Sequence, residues 1–488
     1  MKPSYSILWI FFNLTLGAIA GAALGWGPLA APLPLIPGLA LAGAAVGVAI
    51  GVWSRPRPRR RYVGWGHGGI LLFVALATLI PLYRIGAIAP PGETRAANFA
   101  RLQRALDYAY PYFELKGVDR AALYARYAPQ TAAAASDDDY WRIVAYMLAE
   151  LNDGHSGLLS PSVRSGRHYF ATCRALGDTV AVDAVGQTAR ESGLVRGDVV
   201  LAVDGRPVAD ALEALPAILR AGSTPQQRRA KAAFSLLSTT AETLSVTVAG
   251  PAGERTLTLV WPAPASPAQA TSPGAGEQPL ITGERLPSGW GLIRIPSFAG
   301  DSGHDLVAEF DAALAAVMDA PGIILDLRGN GGGSTAIADP IAGRFLDRPF
   351  TYGHDRFRAR LPQRGWRTSF DYRVTPRRPT YTGPLTLLID EFNFSTAENF
   401  IVALVDSGRA TTVGRPTAGG SGNPVTFRLS GGGLARFSTG DFRRNDGRPI
   451  EGLGIAPDVY VAWTAADLRL GRGLDLEAAI ALRKHLVK

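Results

Sequence analysis

The sequence predicts an α/β protein whose carboxyl-terminal part is built on a mostly parallel sheet. Three observations predict it. From about Leu280, short apolar runs such as "GIILDLRG" and "PLTLLID" alternate with helical stretches such as "HDLVAEFDAALAAVM" and "STAENFIVALVDSG". Strands that are apolar throughout and separated by helices belong to a sheet with both faces covered. Residues 166–262 instead carry short alternating strands, "DTVAVDAV", "GDVVLAVDG", "TLSVTVAG" and "RTLTLVW", the pattern of a separate β-rich module. Residues 94–165 are rich in Ala, Leu, Tyr and Arg and read as helices.

Each element has its own justification. At the amino terminus, Ile7–Trp26 and Leu33–Trp53 carry no charge, and Trp65–Tyr83 is a third, less apolar run. A bilayer-crossing helix needs about 20 mostly apolar residues. Residues 1–90 are therefore expected to hold two to three, and in all about three, transmembrane helices, with the lipid bilayer as a partner. Gly17, Gly21 and Gly25, and again Gly43, Gly47 and Gly51, would let the first two pack closely. The basic run "RPRPRRR" (Arg55–Arg61) favours the cytoplasmic side. With three spans, everything after about Pro90 is expected on the extracytoplasmic side of the inner membrane. Next, "DDDYWRIVAYMLAELNDGH" has apolar residues at helical spacing after an acidic first turn that suits the helix dipole, and it breaks at "NDGHSG". Within the β-rich module "ALEALPAILRAG" reads as one helix. Residues 263–279, rich in Pro, Ala, Gly and Ser, read as a linker, and 280–488 as the α/β core.

The formal charge of +9 does not indicate nucleic-acid binding. Residues 1–92 hold seven cations and no Asp or Glu, so the rest of the chain carries only +2. The single cysteine, Cys173, excludes an internal disulfide. No metal or cofactor motif stands out: the glycine-rich loop lacks the Lys-Ser/Thr pair of a phosphate loop.

Turns that follow buried strands are where α/β proteins place reactive groups, and two stand out. "DLRGNGGGS" offers the backbone N–H groups of Gly331, Gly332 and Gly333, although a glycine-rich turn also serves chain reversal alone. "DEFNFSTAENF" places Ser395 at a helix start with Glu398 three positions later. That spacing fits a capping box; it equally fits a nucleophile polarised by the helix dipole, with the Thr396 N–H beside it as an oxyanion donor. A serine needs a base. No lysine occurs between Lys231 and Lys484. The histidines are His67, His155, His168, His304, His354 and His485, of which His155, in a turn closing a helix, is best placed to be held rigidly.

Together "GIILDLRGNGGG", "LTLLIDEFNFSTAENFIVALVDSGRATTVGRPTAGG", "EGLGIAPDV" and "MLAELNDGHSG" resemble the tail-specific (carboxyl-terminal processing) serine peptidases and their tricorn-type relatives. "ESGLVRGDVVLAVDGRPV" (Glu191–Val208) looks like the PDZ module of that family. The resemblance implies a Clp-protease/crotonase-like spiral core with an inserted PDZ-like domain. It also implies a serine endopeptidase acting on peptide or unfolded protein substrates, which the apolar amino-terminal runs are expected to anchor in the membrane. By position Ser395 matches the nucleophile, and Gly332 or Gly333 with Thr396 the oxyanion hole. The lysine of the processing branch falls at Gly420. In tricorn-type members a histidine is the base, matched by His155, and the serine that precedes it there is Gly154 here. Glu451 matches their orienting glutamate, and Asp153 is the nearest substitute orienter. The alternative is an inactive relative that binds peptides or ligands without cleaving them; an unrelated transporter-like membrane protein is a more distant one.

Overall fold

The computed structural model describes residues 92–160, 168–261, 279–300, 303–359 and 365–484. Its centre is a six-stranded sheet in the spatial order Thr282–Arg285, Gly291–Arg294, Ile323–Asp326, Leu385–Ile389, Thr411–Gly414 and Val459–Tyr460. Only the first pair is antiparallel; the others run parallel. Successive side chains of a strand point to opposite faces, and the cores obey this. Ile323, Leu325, Leu385, Leu387 and Ile389 join the main core beneath the helices Leu306–Ala315, Thr335–Ala342 and Thr396–Asp406. Ile324 and Leu388 face the other way, onto Val413, Val461 and Ala479 of the helix Leu474–Lys484. The fully apolar strands therefore report a sheet covered on both sides, as expected.

The helices Arg95–Ala109, Arg120–Ala132 and Asp137–Ala149 do not close a core among themselves. Phe99, Leu106, Trp141 and Leu148 share one cluster with Val425, Phe427, Ala435 and Phe437 from the far end of the chain. Those residues lie in a three-stranded sheet of Gly157–Leu159, Leu434–Phe437 and Val425–Arg428. The β-rich part is a sheet in the order Ala171–Leu176, Thr179–Val185, Val199–Val203, Thr243–Gly250 and Gly253–Val260, with the helix Pro225–Ser235 packed on its first strand. The stretch "ALEALPAILRAG" is two short helices, Val208–Ala214 and Ala217–Arg220, split at Pro216. Proline disfavours the helical region for the residue before it, which breaks the run. A hairpin, Phe350–Ala359 with Gly365–Val374, pairs with Gly440–Arg444.

The expected transmembrane helices require correction. Among the described residues no helix is long and apolar enough to cross a membrane. The longest, Arg95–Ala109, has 15 residues, about 22 Å at 1.5 Å per residue, against a hydrocarbon core of about 30 Å. The three apolar runs lie within residues 1–90, outside the described residues. The architecture is accordingly a mixed α/β fold, and the multi-pass membrane localisation read from those runs is withdrawn with them.

Candidate active site

Ile323–Asp326 and Leu385–Ile389 are parallel neighbours, so the turns that follow them emerge side by side. Two buried asparagines hold those turns together. Asn330 donates from Nδ2 to the Ile295 carbonyl (3.0 Å), accepts the Gly332 N–H at Oδ1 (2.8 Å), and accepts the Phe394 N–H at its carbonyl (3.2 Å). Asn393 accepts the Asp390 N–H (2.8 Å) and donates to the Leu327 carbonyl. Asp390 accepts the Gly329 N–H (3.0 Å). Every one of these bonds satisfies a backbone group that burial would otherwise leave without a partner.

Ser395 is the N-cap of the helix Thr396–Asp406 and has φ 58° and ψ −126°. A non-glycine residue in such a region costs roughly 1–3 kcal/mol and persists only where its surroundings hold it. They do so here: its N–H donates to the Gly420 carbonyl (2.9 Å), and its own carbonyl accepts the Glu398 N–H (2.9 Å). The Ser395 side chain makes no capping hydrogen bond, so the capping box does not form. Glu398 turns instead to the loop 417–420, accepting from Thr417 Oγ1 (2.5 Å), Gly419 N–H (2.9 Å) and Gly420 N–H (2.8 Å). Burial pushes its carboxyl up to about 8, against the pull of those donors.

Gly332 has φ +97°, and a Cβ there would stand 2.6 Å from the Phe394 carbonyl oxygen and 2.9 Å from both Ser395 Cβ and Thr396 N. Only glycine lets the loop approach this closely. The Gly332 N–H is committed to Asn330. Gly333 and Thr396 line, with Ser395, a cavity of about 250 Å³, and Thr396 Oγ1 donates to the Gly333 carbonyl (2.8 Å).

His155 reaches this region from the turn after the helix Asp137–Ala149. Asp153 shapes that turn by accepting the His155 N–H (2.9 Å) and the Ser156 hydroxyl (2.7 Å). Its Oδ1 lies 3.9 Å from His155 Nδ1. Side-chain atoms of Asp153, His155 and Glu451 all fall within 4.8 Å of one another. Lys116 Nζ sits 2.5 Å from Glu451 Oε1 and donates to the Ser223 carbonyl (2.8 Å); the Ser421 N–H donates to Glu451 Oε2 (3.1 Å). The three side chains could in principle surround a cation, but the Lys116 ammonium is already the cation in contact with Glu451. Burial lowers the His155 imidazolium to about 4, against Asp153, so the ring is neutral near pH 7. Burial and Asp153 push Glu451 up to about 8, with Lys116 pulling the other way.

Both ring nitrogens of His155 lack a hydrogen-bond partner among the described residues. Its ring lies against that of Phe394, the residue before Ser395, with centroids 4.2 Å apart. The same Phe394 ring accounts for two departures in the sequence. A Cβ on Gly420 would come within 1.7 Å of it, and one on Gly154 within 2.8 Å. Phe394 fills the room that a side chain at either position would need.

The structure thus groups Asp153, His155 and Glu451, sets the His155 ring against Phe394, and places Gly333, Ser395 and Thr396 around one cavity, with Gly332 packed against the Ser395 turn. His304 instead meets Glu309 (2.5 Å), His168 stacks on Trp261, and His354 pairs in the strand Phe350–Ala359. Sequence reasoning missed Lys116, because only lysines near Ser395 in the chain were weighed; one of just five in the sequence, it was conspicuous by rarity. It also missed Phe394, whose signal was the aromatic residue directly before the serine.

Residues 289–461 match the profile of peptidase family S41, and residues 91–149 match the tricorn protease C1 domain. Residues 289–461 therefore form a peptidase family S41 domain. A protein of Chlamydia pneumoniae is 42% identical over 103 residues, 20% of this chain and 17% of its own length. A Streptomyces coelicolor protein named as a tricorn protease homolog is 24% identical over 395 residues, 76% of this chain and 31% of its own length. The chain thus spans less than a third of either relative. Mature CPAF in complex with lactacystin shares the fold at a TM-score of 0.64 and 18% identity, over 81% of this chain and 98% of that one. S41 is a family of serine-type peptidases, and Ser395 lines the cavity described above.

Proposed function

We propose that this S41 protein is an endopeptidase that hydrolyses peptide bonds of protein substrates through an acyl-enzyme on Ser395, with His155 as general base. The observation that carries the reading is Ser395 itself. It is held at positive φ on a strand-to-helix turn, free of any capping bond, at the mouth of a cavity it shares with Gly333 and Thr396. Such a turn exposes a serine hydroxyl and aligns it with the helix dipole. His155, neutral because burial disfavours its charge, takes the hydroxyl proton as Ser395 attacks the peptide carbonyl. The oxyanion is met by the N–H groups of Gly333 and Thr396, since that of Gly332 is occupied by Asn330. His155 then protonates the leaving amine, and a water deprotonated by the same ring resolves the ester. Asp153, whose Oδ1 stands 3.9 Å from Nδ1, and Glu451 are the acids near enough to orient the ring once either closes on it. Among the described residues Ser395 and His155 share no hydrogen bond, in keeping with the loose catalytic contacts common in substrate-free sites.

The β-rich part would serve as the PDZ-like module. Its edge strand Ala171–Leu176 and the helix Pro225–Ser235 flank a groove that Glu391 and Phe392, just before Ser395, also line. An extended peptide can add to that edge as a further strand and run on toward the serine.

One observation favours a second reading, a peptide binder that does not cleave: among the described residues neither His155 nitrogen has a partner. The test is to offer the full chain an unfolded protein and compare it with Ser395→Ala and His155→Ala. Cleavage is expected to fall by about 10⁴-fold or more in each variant. Retention of peptide without cleavage by the unaltered chain supports the binder.

A further inference from the structure

The cavity beside Ser395 has a chemical character that the reaction alone does not require. One wall is the first turn of the Ser395 helix, where Asn399 follows Ser395 by four residues and so lies on the same face. The hairpin Phe350–Ala359 with Gly365–Val374 also lines the cavity, through Asp355 and Tyr372. Asn423 and Pro424 close a third side.

Asp355 is 1% exposed, and its Oδ2 accepts the Tyr372 hydroxyl at 2.7 Å. Among the described residues no arginine, lysine or histidine pairs with it. Its neighbour Asp441 is the contrast: that carboxylate takes both Arg356 and Arg443. Burial, with Asp441 close by, pushes the Asp355 carboxyl up to about 6, as expected for an acid left without a cation. A buried carboxylate is ordinarily paired. A second acceptor points to the same need. Asn399 is also buried, and its Oδ1 has no hydrogen-bond partner among the described residues. Two buried acceptors therefore line one small cavity, and a cationic donor inside it would satisfy both. The volume, about 250 Å³, suits a single side chain rather than a drug-sized ligand of roughly 300–1,000 Å³.

We infer that this cavity receives the substrate side chain adjoining the scissile bond, and that Asp355, together with Asn399, makes it select lysine or arginine. The inference rests on the reading of Ser395 as nucleophile. Asp355 is a specificity residue in this account, because it contacts substrate without joining the bond-making atoms. An apolar side chain in the same place would leave both acceptors unpaired and desolvated, the situation that gives polar pockets their discrimination.

The test is to digest a peptide library with the full chain and read both residues flanking each cut by mass spectrometry. Rates are then measured on two quenched peptides that differ only in arginine or leucine at the selected position. The unaltered chain is expected to prefer arginine or lysine by about 10-fold or more in kcat/KM. Asp355→Asn, which keeps the shape and a partner for Tyr372, is expected to bring the kcat/KM values of the two peptides within about threefold of each other. The library on the unaltered chain decides the matter even where the variant folds poorly. A preference for apolar residues on both sides of the cut, or an arginine preference that survives intact in folded Asp355→Asn, overturns the assignment of Asp355. No cleavage of any peptide, or cleavage that persists in Ser395→Ala, overturns the underlying reading of Ser395 instead.

Discussion

Phe394 is the residue on which the site's departures converge. Its ring touches His155 and occupies the space beside Gly154 and Gly420, the positions where S41 relatives were expected to carry a serine and a lysine. Overpacking costs about 1–3 kcal/mol, so Gly420→Ala is expected to destabilise the chain by that amount. Phe394→Ala opens a space and costs on its own, yet in the double variant the new methyl has somewhere to go. A denaturant-unfolding cycle should therefore show the double variant at least about 1 kcal/mol more stable than the two single effects predict together; simple additivity would mean that Phe394 is not the obstacle. His155 makes a separate prediction. Because burial holds its pKa near 4, the imidazole remains a base well below the ordinary histidine value of about 6.5. The acid limb of kcat/KM is expected to fall away close to pH 4; a limb near 6.5 would show that the ring is solvated in the working enzyme.

Among the elements, the loop 417–421 and the helix Pro225–Ser235 are linked through one threonine. Thr224 caps that helix by accepting the Gln227 N–H (3.2 Å), and its hydroxyl donates to the Ala418 carbonyl (2.8 Å). Thr224→Val keeps the shape and removes both bonds, for an expected loss of about 1–2 kcal/mol in thermal unfolding and a weaker grip on the loop that fixes Ser395. Such ties are invisible in a sequence. The apolar strands Ile323–Asp326 and Leu385–Ile389 were legible because every residue is buried, and the turns after them followed from the parallel order. The hairpin Phe350–Ala359 with Gly365–Val374 was not, because "GHDRFR" and "RTSFDYR" place charges along both strands and show no apolar period. The Ser-x-x-Glu spacing at Ser395 misled for a related reason: capping is a local rule, and the loop 417–420, far along the chain, offered Glu398 three donors that outcompeted it. Ser395, His155, Glu451 and Asp153 were each nameable from motif resemblance; Lys116 and Phe394 emerged only from their positions in space.

At the scale of the whole molecule, the first described helices and a late stretch of the chain are folded into one another. The helices after Arg95 share their core with strands near Leu434, and Trp141 packs on Gly433 so closely that a Cβ there would meet its ring at 2.4 Å. This interlocking carries His155, from the first part, to the site of Ser395, from the second. The buried pair of Lys116 and Glu451 joins the same two parts. Removing one partner of such a pair costs about 3–5 kcal/mol, whereas removing both costs much less. Lys116→Met is thus expected to destabilise strongly, and adding Glu451→Gln to recover part of the loss in chemical denaturation; no recovery would mean that the pair is not the joint.

The central claim is that Ser395 is a nucleophile activated by His155. Reaction of the full chain with a fluorophosphonate, followed by peptide mass mapping, tests it most directly. The account predicts a single phosphonyl adduct on Ser395, formed at least about 100-fold more slowly in His155→Ala. An adduct that forms as fast without His155, or no adduct on Ser395 at all, would contradict it.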